Sequence, residues 1–368
     1  MEYEKVNKNI NTIQDLMAVH YGGASEELMN VVKADAPLLT TTSGAANDVY
    51  GAEVWSQLNE DAKTFQILPK VPYKKAGFRI KTARGGTLGQ GGVAENGAVP
   101  DTILPTYEQG KISLKHVVHS YNSSMLKDLR AAAGNDDIGI DQLRKDIGEE
   151  HVKSINTMLL ADADTLAGDN FESIDRVCSS QSEESALLTA GDADIYGFDR
   201  SSSTNYDAYV DHNSGTDRAL TKAMIRTAVR TIEQNSGKRN NVIITGFDTL
   251  GDIDALFEGQ SRLGVERIKV GVNGIQSAAG NDVMVEVSSV MNIPVIVDDS
   301  VVADGSSRIY FLNTETLTFE VAMPTRNFET NVEQHLLLDA MGMKGDFVTA
   351  GELKCTNFAH QGKIRDLS

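Results

Sequence analysis

The sequence is poor in the residues that build covalent or metal-bound scaffolds. It has 2 cysteines, Cys178 and Cys355, far apart and without metal-ligand spacing. That pattern argues against a disulfide framework or a thiolate metal centre, and both side chains read as reduced and half-buried in a cytosolic assembly. Long apolar runs are missing too. None approaches the roughly 18 residues that a membrane-crossing helix needs. The opening MEYEKVNKNINTIQ lacks the apolar core of a secretory signal. Positive charge is scarce: 34 Lys and Arg stand against 52 Asp and Glu, a net charge of −18. Wrapping nucleic acid needs clustered cations, so the surface as a whole is unsuited to it. Enclosing nucleic acid is a different matter, because an acidic inner wall would keep packed DNA from sticking. The same acidity also serves solubility.

Catalytic constellations are absent as well. There is no GxxxxGK[ST], no HExxH and no nucleophile elbow. The segment GVNGIQSAAG at 271–280 lacks the lysine of a phosphate loop and reads as a surface loop. His116 and His119 would face opposite sides of a strand, which is poor for a shared metal. Asp298 and Asp299 follow a strand; a turn or cap role is favoured over binding a hard cation. Asp162, Asp164, Asp169 and Glu172 could attract Ca²⁺ but lack an ordered ligand loop. The run SSSTN at 201–205 has no base at a recognisable offset and reads as a turn. No catalytic, cofactor or metal site is assigned.

What is present is a 368-residue chain, 40% apolar and 23% charged, enough for a substantial core and for two domains or one domain with long extensions. Residues 1–60 read as an arm, with weak helical pieces at 13–19 and 26–32. Residues 66–120 read as a long hairpin. Its first strand is GFRIKTA and its return strand KISLKHVV at 111–118, joined by the Gly- and Pro-rich tip RGGTLGQGGVAENGAVPDTILPT. An isolated two-stranded ribbon is barely stable in water. Residues 65–121 therefore need a surface outside their own molecule.

A long helix is predicted over 138–167, with Ile140, Leu143, Ile147, His151, Ile155 and Leu159 in one stripe, a cap at Asp136 or Asp137 and an end at Gly168. At about 1.5 Å per residue it would span roughly 45 Å. Short strands and acidic turns fill 169–219. A second helix follows at 222–234, capped by Thr221 and ended by Gly237. An α/β stretch comes next. NVIITG at 241–246 is a buried strand, and Asp248 caps a helix through Leu250, Ile253 and Leu256. Further strands are expected at 282–287, 293–297, 308–312 and 317–322, and the tail 347–367 closes a sheet.

Charge is segregated. Residues 70–84 carry six basic side chains (Lys70, Lys74, Lys75, Arg79, Lys81, Arg84) and no acidic one, whereas 160–218 carries thirteen acidic and three basic. Ordinary solvated surface explains this. So does a basic ribbon lying on the acidic region of a neighbouring copy. The interface set under the second reading is Lys74, Lys75, Arg79, Lys81 and Arg84, with Glu95 on the tip, facing Asp162, Asp164, Asp169 and Glu172.

The succession of elements resembles the major capsid proteins of head-tailed viruses of bacteria and archaea, with the Hong Kong phage-type capsid fold. The resemblance rests on FQILPKVPYKKAGFRIKTA, AENGAVPDTILPTYEQGKISLKHVVHSYNSS, FESIDRVCSS, DIYGFDRSSSTNYDAYV, IPVIVDDSV, RIYFLNTETLTFEV and FVTAGELKCTNFAHQGKI, in that order. It implies an α+β fold in five parts. These are an N-terminal arm (1–60), an extended β-hairpin loop with the start of the peripheral domain (61–125), a peripheral domain with a spine helix at 138–167 (126–219), an α/β axial domain (220–346) and a closing segment (347–368).

The resemblance also implies a structural role without catalysis. Copies of the chain would assemble as pentamers and hexamers into an icosahedral-type head in the host cytoplasm and persist in the virion. The head would enclose double-stranded DNA without sequence-specific binding. Portal, scaffold and decoration proteins are the further partners implied; a membrane is not. The chain begins with a short arm, so a scaffold would be a separate protein. The tip at 85–105 has no lysine, so the loop-lysine cross-link of some relatives is not expected. An encapsulin-like nanocompartment on the same fold is the alternative, and an unrecognised soluble α/β enzyme a more distant one.

Overall fold

The computed structural model describes residues 61–86, 91–132, 140–165, 168–258, 266–269, 284–302, 307–330 and 342–368. The expected arm at 1–60, the caps at Asp136 or Asp137 and the loop at 271–280 lie outside these residues. Two short elements open the described chain, helix α1 (Lys63–Ile67) and strand β1 (Lys70–Pro72). Strands β2 (Gly77–Ala83), β3 (Thr106–Lys111) and β4 (Lys115–Ser124) follow, then helices α2 (Met125–Ala132) and α3 (Ile140–Leu159). Helices α4 (Ile174–Val177) and α5 (Gln181–Leu187) lead to strand β5 (Tyr209–Asp211) and helix α6 (Lys222–Ser236). The remainder alternates: β6 (Val242–Thr245), α7 (Phe247–Glu258), β7 (Glu266–Lys269), β8 (Met284–Val290), β9 (Ile293–Val297), β10 (Ser307–Leu312), β11 (Leu317–Thr330), β12 (Gly342–Cys355) and β13 (Gly362–Leu367).

Among the described residues the strands form three sheets, ordered β1-β11-β12-β4, β5-β13-β10-β6-β9-β8-β7, and β2-β3. The described chain divides into two compact units. One holds His119–Gly148 and Asn327–Phe347; the other holds Leu58–Val118, Glu149–Arg326 and Val348–Ser368.

In the larger unit the seven-stranded sheet is buried on both faces, so its central strands are apolar runs and not alternating ones. Ile243, Ile309, Phe311 and Ile364 pack on one side with Ile225, Ala228, Val229 and Ile232 of α6. Val242, Ile244, Tyr310 and Leu312 join the second core with Phe171, Ile174, Leu159 and Phe319. Each large apolar side chain buried this way contributes about 1.5–3 kcal/mol. Helix α6 has the predicted ends: the Thr221 hydroxyl accepts from the Met224 N–H, and Gly237 takes the left-handed conformation at φ 71°. A side chain at Gly237 would meet the steric penalty of that region.

In the smaller unit, Arg144 of α3 joins Glu329 of β11, which also receives the Tyr121 hydroxyl. The hydrogen bond from Arg144 holds the Glu329 carboxyl down at about 2. The Tyr121 ring lies 5.7 Å from that of Phe347.

Several expectations are corrected. The partner of β2 is β3 at 106–111, pairing Gly77 with Lys111 and Lys81 with Tyr107; it is not 111–118. The chain breaks at Ile112–Leu114 and enters β4, which belongs to the four-stranded sheet. Ile112 and Val117 are buried while Leu114 is exposed, so the apolar positions of KISLKHVV never shared one face. Much of 65–121 is satisfied internally: Phe65, Leu68, Ile112 and Val117 sit in the core of the larger unit, and β1 pairs with β11.

Helix α3 stops at Leu159, not near 167, giving 20 residues and roughly 30 Å. Leu160 and Ala163 are buried, the Ala163 N–H donates to Asp175 at 3.1 Å, and Asp162 pairs with buried Arg308. Those contacts need a turn where the helix would have continued. The region 169–219 forms short helices more than strands. Ser173, Ser180 and Ser203 each cap one by accepting a backbone N–H. Asp248 lies inside the first turn of α7 and bonds Ser307. The tail divides between two sheets, and β13 sits between β5 and β10, not at an edge. Both cysteines are fully buried thiols. Burial pushes Cys178 well up and Cys355 up to about 12.

Candidate functional site

The candidate surface is the β2–β3 ribbon. Along β2, Phe78, Ile80 and Thr82 are half-buried while Arg79 and Lys81 are exposed, the period-two alternation of a strand with one covered face. The base is anchored in its own protomer. The Phe78 ring lies 5.5 Å from Tyr196 and 6.1 Å from Phe198 in edge-on contact. The Lys111 N–H donates to the Tyr196 carbonyl at 2.9 Å, and the Ile112 N–H to Ala76 at 2.7 Å. Position 110 must be glycine: a Cβ there would lie 2.7 Å from the Phe198 ring and 2.9 Å from Phe78.

Beyond the base the described chain is open to solvent, and it carries apolar side chains there. Val99 is 89% exposed, Leu104 83% and Ile103 64%. Lys74, Lys75, Arg79, Lys81 and Arg84 are all exposed, and among the described residues none forms an ion pair within the protomer. Glu95 is exposed on the tip. Lys70 differs: it donates to the Phe65 carbonyl at 3.0 Å, stands 4.3 Å over the Phe65 ring, and burial lowers its pKa.

The acidic set is split. Asp162 pairs with Arg308, and Glu172 with Lys115 at 2.9 Å and Arg176 at 3.2 Å. Both carboxylates are thus engaged inside the protomer. Asp164 and Asp169 remain exposed; partial burial, then the charge of Asp162, pushes Asp164 upward. Among the described residues no group of three or more His, Cys, Asp or Glu is arranged to hold a metal ion. Asp298 and Asp299 take separate structural roles. Asp298 accepts from the Thr64 N–H and hydroxyl at 3.0 and 2.7 Å, from Asn156 at 2.9 Å and from the Ser300 N–H at 3.0 Å. Burial opposes its ionisation, but these donors hold it below the usual carboxylate range. Asp299 pairs with Lys153.

Sequence reasoning missed two charged clusters. In the first, Asp175 lies 2.9 Å from both Arg308 and Lys363, and Glu183 lies 2.7 Å from Lys363 and 2.6 Å from Arg365. All five are buried, tying α4 and α5 to β10 and β13. Burial would raise Asp175, but Arg308 and Lys363 drive it well below the ordinary range. The alternating charges in GKIRDL, inside a segment read as sheet, were the available signal. In the second, buried Glu352 accepts the Glu172 and Leu353 N–H groups at 2.7 and 2.9 Å and lies 3.4 Å from Lys115. Burial pushes it up to about 7. No described helix is long and apolar enough to cross a membrane.

A solvent-exposed two-stranded ribbon, a long helix and a mixed sheet covered on both faces are the elements expected of a shell-building subunit with the Hong Kong phage-type capsid fold. Solved structures agree on the fold. The chain is similar to the Cyanophage A-1(L) capsid asymmetric unit, with TM-score 0.63 and 16% identity over 89% of this chain and 99% of that one. It is also similar to the capsid of the native GTA particle (0.57, 11%, 90% and 99%) and to a solved structure of Mycobacterium phage Bobi (0.54, 8%, 86% and 94%). No curated protein matches the chain. Residues 122–368 match the model of the SU10 major capsid protein family, and the chain belongs to that family. It is a structural protein of the virion shell.

Proposed function

We propose that copies of this chain close into an icosahedral-type head as pentamers and hexamers, acting by assembly and not by catalysis. The head encloses double-stranded DNA without sequence-specific contacts, consistent with the net charge of −18. One observation carries the reading: the ribbon exposes Val99, Ile103 and Leu104 beside five cations without an ion-pair partner among the described residues. Apolar surface of this kind marks an interaction site, and a neighbouring copy supplies the cover. Each contact is modest, and closure of the shell makes them cooperative.

In this reading α3 is the spine of the peripheral part (126–219), and the α/β part (220–346) meets its copies around the five-fold and six-fold axes. Lys74, Lys75, Arg79, Lys81, Arg84 and Glu95 lie at the subunit boundary, opposite exposed acids that include Asp164 and Asp169. Asp162 and Glu172 brace that acidic surface from within. Assembly takes place in the host cytoplasm, with portal, scaffold and decoration proteins as further partners. Electron microscopy of the purified protein tests the proposal. Closed particles are expected, and nucleic acid inside those recovered from infected cells. A small monodisperse species at every concentration overturns self-assembly; particles holding only protein cargo replace the genome with a nanocompartment role.

A further inference from the structure

We infer that the cleft between α5 and the turn at 201–207 receives basic side chains from the ribbon of an adjacent copy. The inference rests on the ribbon being a contact surface, and adds where it lands. The cleft is an open depression of about 650 Å³ lined by Gln181, Ser182, Glu184, Ser185, Thr204 and Asp207 among others, with no Lys or Arg among its described lining residues. Glu184 is only 5% exposed. One of its oxygens accepts the Gly191 N–H at 2.7 Å, and the other has no hydrogen-bond partner among the described residues. A buried carboxylate left in that state is costly unless a cation or donor completes it.

Among the described residues no cation pairs with it. The adjacent Glu183 takes Lys363 and Arg365. Arg200 directs its N–H groups to the carbonyls of Tyr206, Ala193 and Val177 at 3.1, 3.0 and 2.9 Å. His212 bonds the Ser182 hydroxyl at 3.0 Å, at the rim. Asp207 accepts the Gln181 N–H at 2.9 Å, and the charge of Arg200 acts on it without a direct ion pair among the described residues.

The ribbon carries the complementary pattern. Arg79 and Lys81 share its exposed face, two positions and about 7 Å apart along the strand. A guanidinium presents donors in a fork suited to a carboxylate. The cleft is larger than one side chain requires, so both cations fit the space.

The test reverses charge with the full-length chain, placing the new cations on exposed residues. Ser182→Lys with Ser185→Lys puts two cations at the cleft mouth without disturbing a buried group. Arg79→Glu with Lys81→Glu reverses the ribbon. Particle formation is followed by light scattering and sedimentation, and folding by circular dichroism. Each pair is expected to slow assembly by about tenfold, about 1.4 kcal/mol for the pair as a whole, and the four substitutions together to restore it. Glu184→Gln is the second probe, expected to slow assembly less than the lysine pair. Normal assembly of the Ser182/Ser185 variant, or no recovery in the combined variant, overturns the cleft assignment while a defect in the ribbon variant leaves the proposed function standing. Normal assembly of the ribbon variant removes the basic ribbon as a contact.

Discussion

Glu352 shows how one side chain couples the fold to pH. Its carboxyl is buried between β4 and the segment leading into α4, with Lys115 at 3.4 Å and two backbone N–H groups on one oxygen. Desolvation outweighs the pull of Lys115, and the nearby Glu172 adds to the upward push, from 4.5 to about 7. A carboxyl that binds its proton more tightly when folded stabilises the fold fully below its unfolded value, and that contribution is lost as pH rises through the folded value. The window is therefore pH 4.5 to about 7. A shift of this size corresponds to about 3 kcal/mol. The depressed acids Asp175 and Glu329 act in the opposite direction, below that window. Urea unfolding of the unassembled subunit at pH 5 and pH 7.5 should show stability falling with pH, and Glu352→Gln should flatten the slope. An unchanged slope in that variant would show that the group titrates elsewhere.

At the scale of elements, the ribbon separates anchoring from exposure. Phe78, Gly110 and the Tyr196 carbonyl hold its base, so folding and assembly draw on different residues. Replacing Val99 and Leu104 with Ser should leave circular dichroism and the unfolding midpoint of the subunit unchanged, because both side chains are exposed and exposed positions shift stability by less than about 0.5 kcal/mol. The same change should sharply reduce particle yield. A variant that assembles fully would show that the apolar tip makes no contact between copies.

What the sequence disclosed follows from which physical signals are local. β2, α6 with its Thr221 and Gly237 ends, β6, β9 and β10 were legible because periodicity and capping are written in adjacent residues. The end of α3 was not, since it depends on Asp162 meeting Arg308, 146 positions away. The return strand was misplaced because Ile112 and Val117 are both buried but separated by a break. Of the interface set, the five ribbon cations are exposed. Asp162 and Glu172 proved to have partners at home, which only tertiary structure could reveal. The buried network of Asp175, Glu183, Arg308, Lys363 and Arg365 was hidden for the same reason.

For the whole molecule, the question is what brings acidic subunits together. At a net charge of −18 two copies repel at long range, and salt would relieve that repulsion. The ribbon cations work the other way: they attract local acids on the neighbour, and salt weakens them. Which effect governs depends on distance. At physiological ionic strength the Debye length is about 8 Å, so repulsion between whole subunits is already largely screened while contacts at a few ångströms are not. Above about 0.1 M salt the local attraction therefore controls encounter, and complementary charge acts mainly on rate. Assembly followed by light scattering should slow as salt rises from about 0.1 to 0.5 M. The Arg79→Glu/Lys81→Glu variant should lose most of that dependence. Rates that rise with salt through this range would mean that global repulsion dominates and that the exposed apolar tip alone drives association.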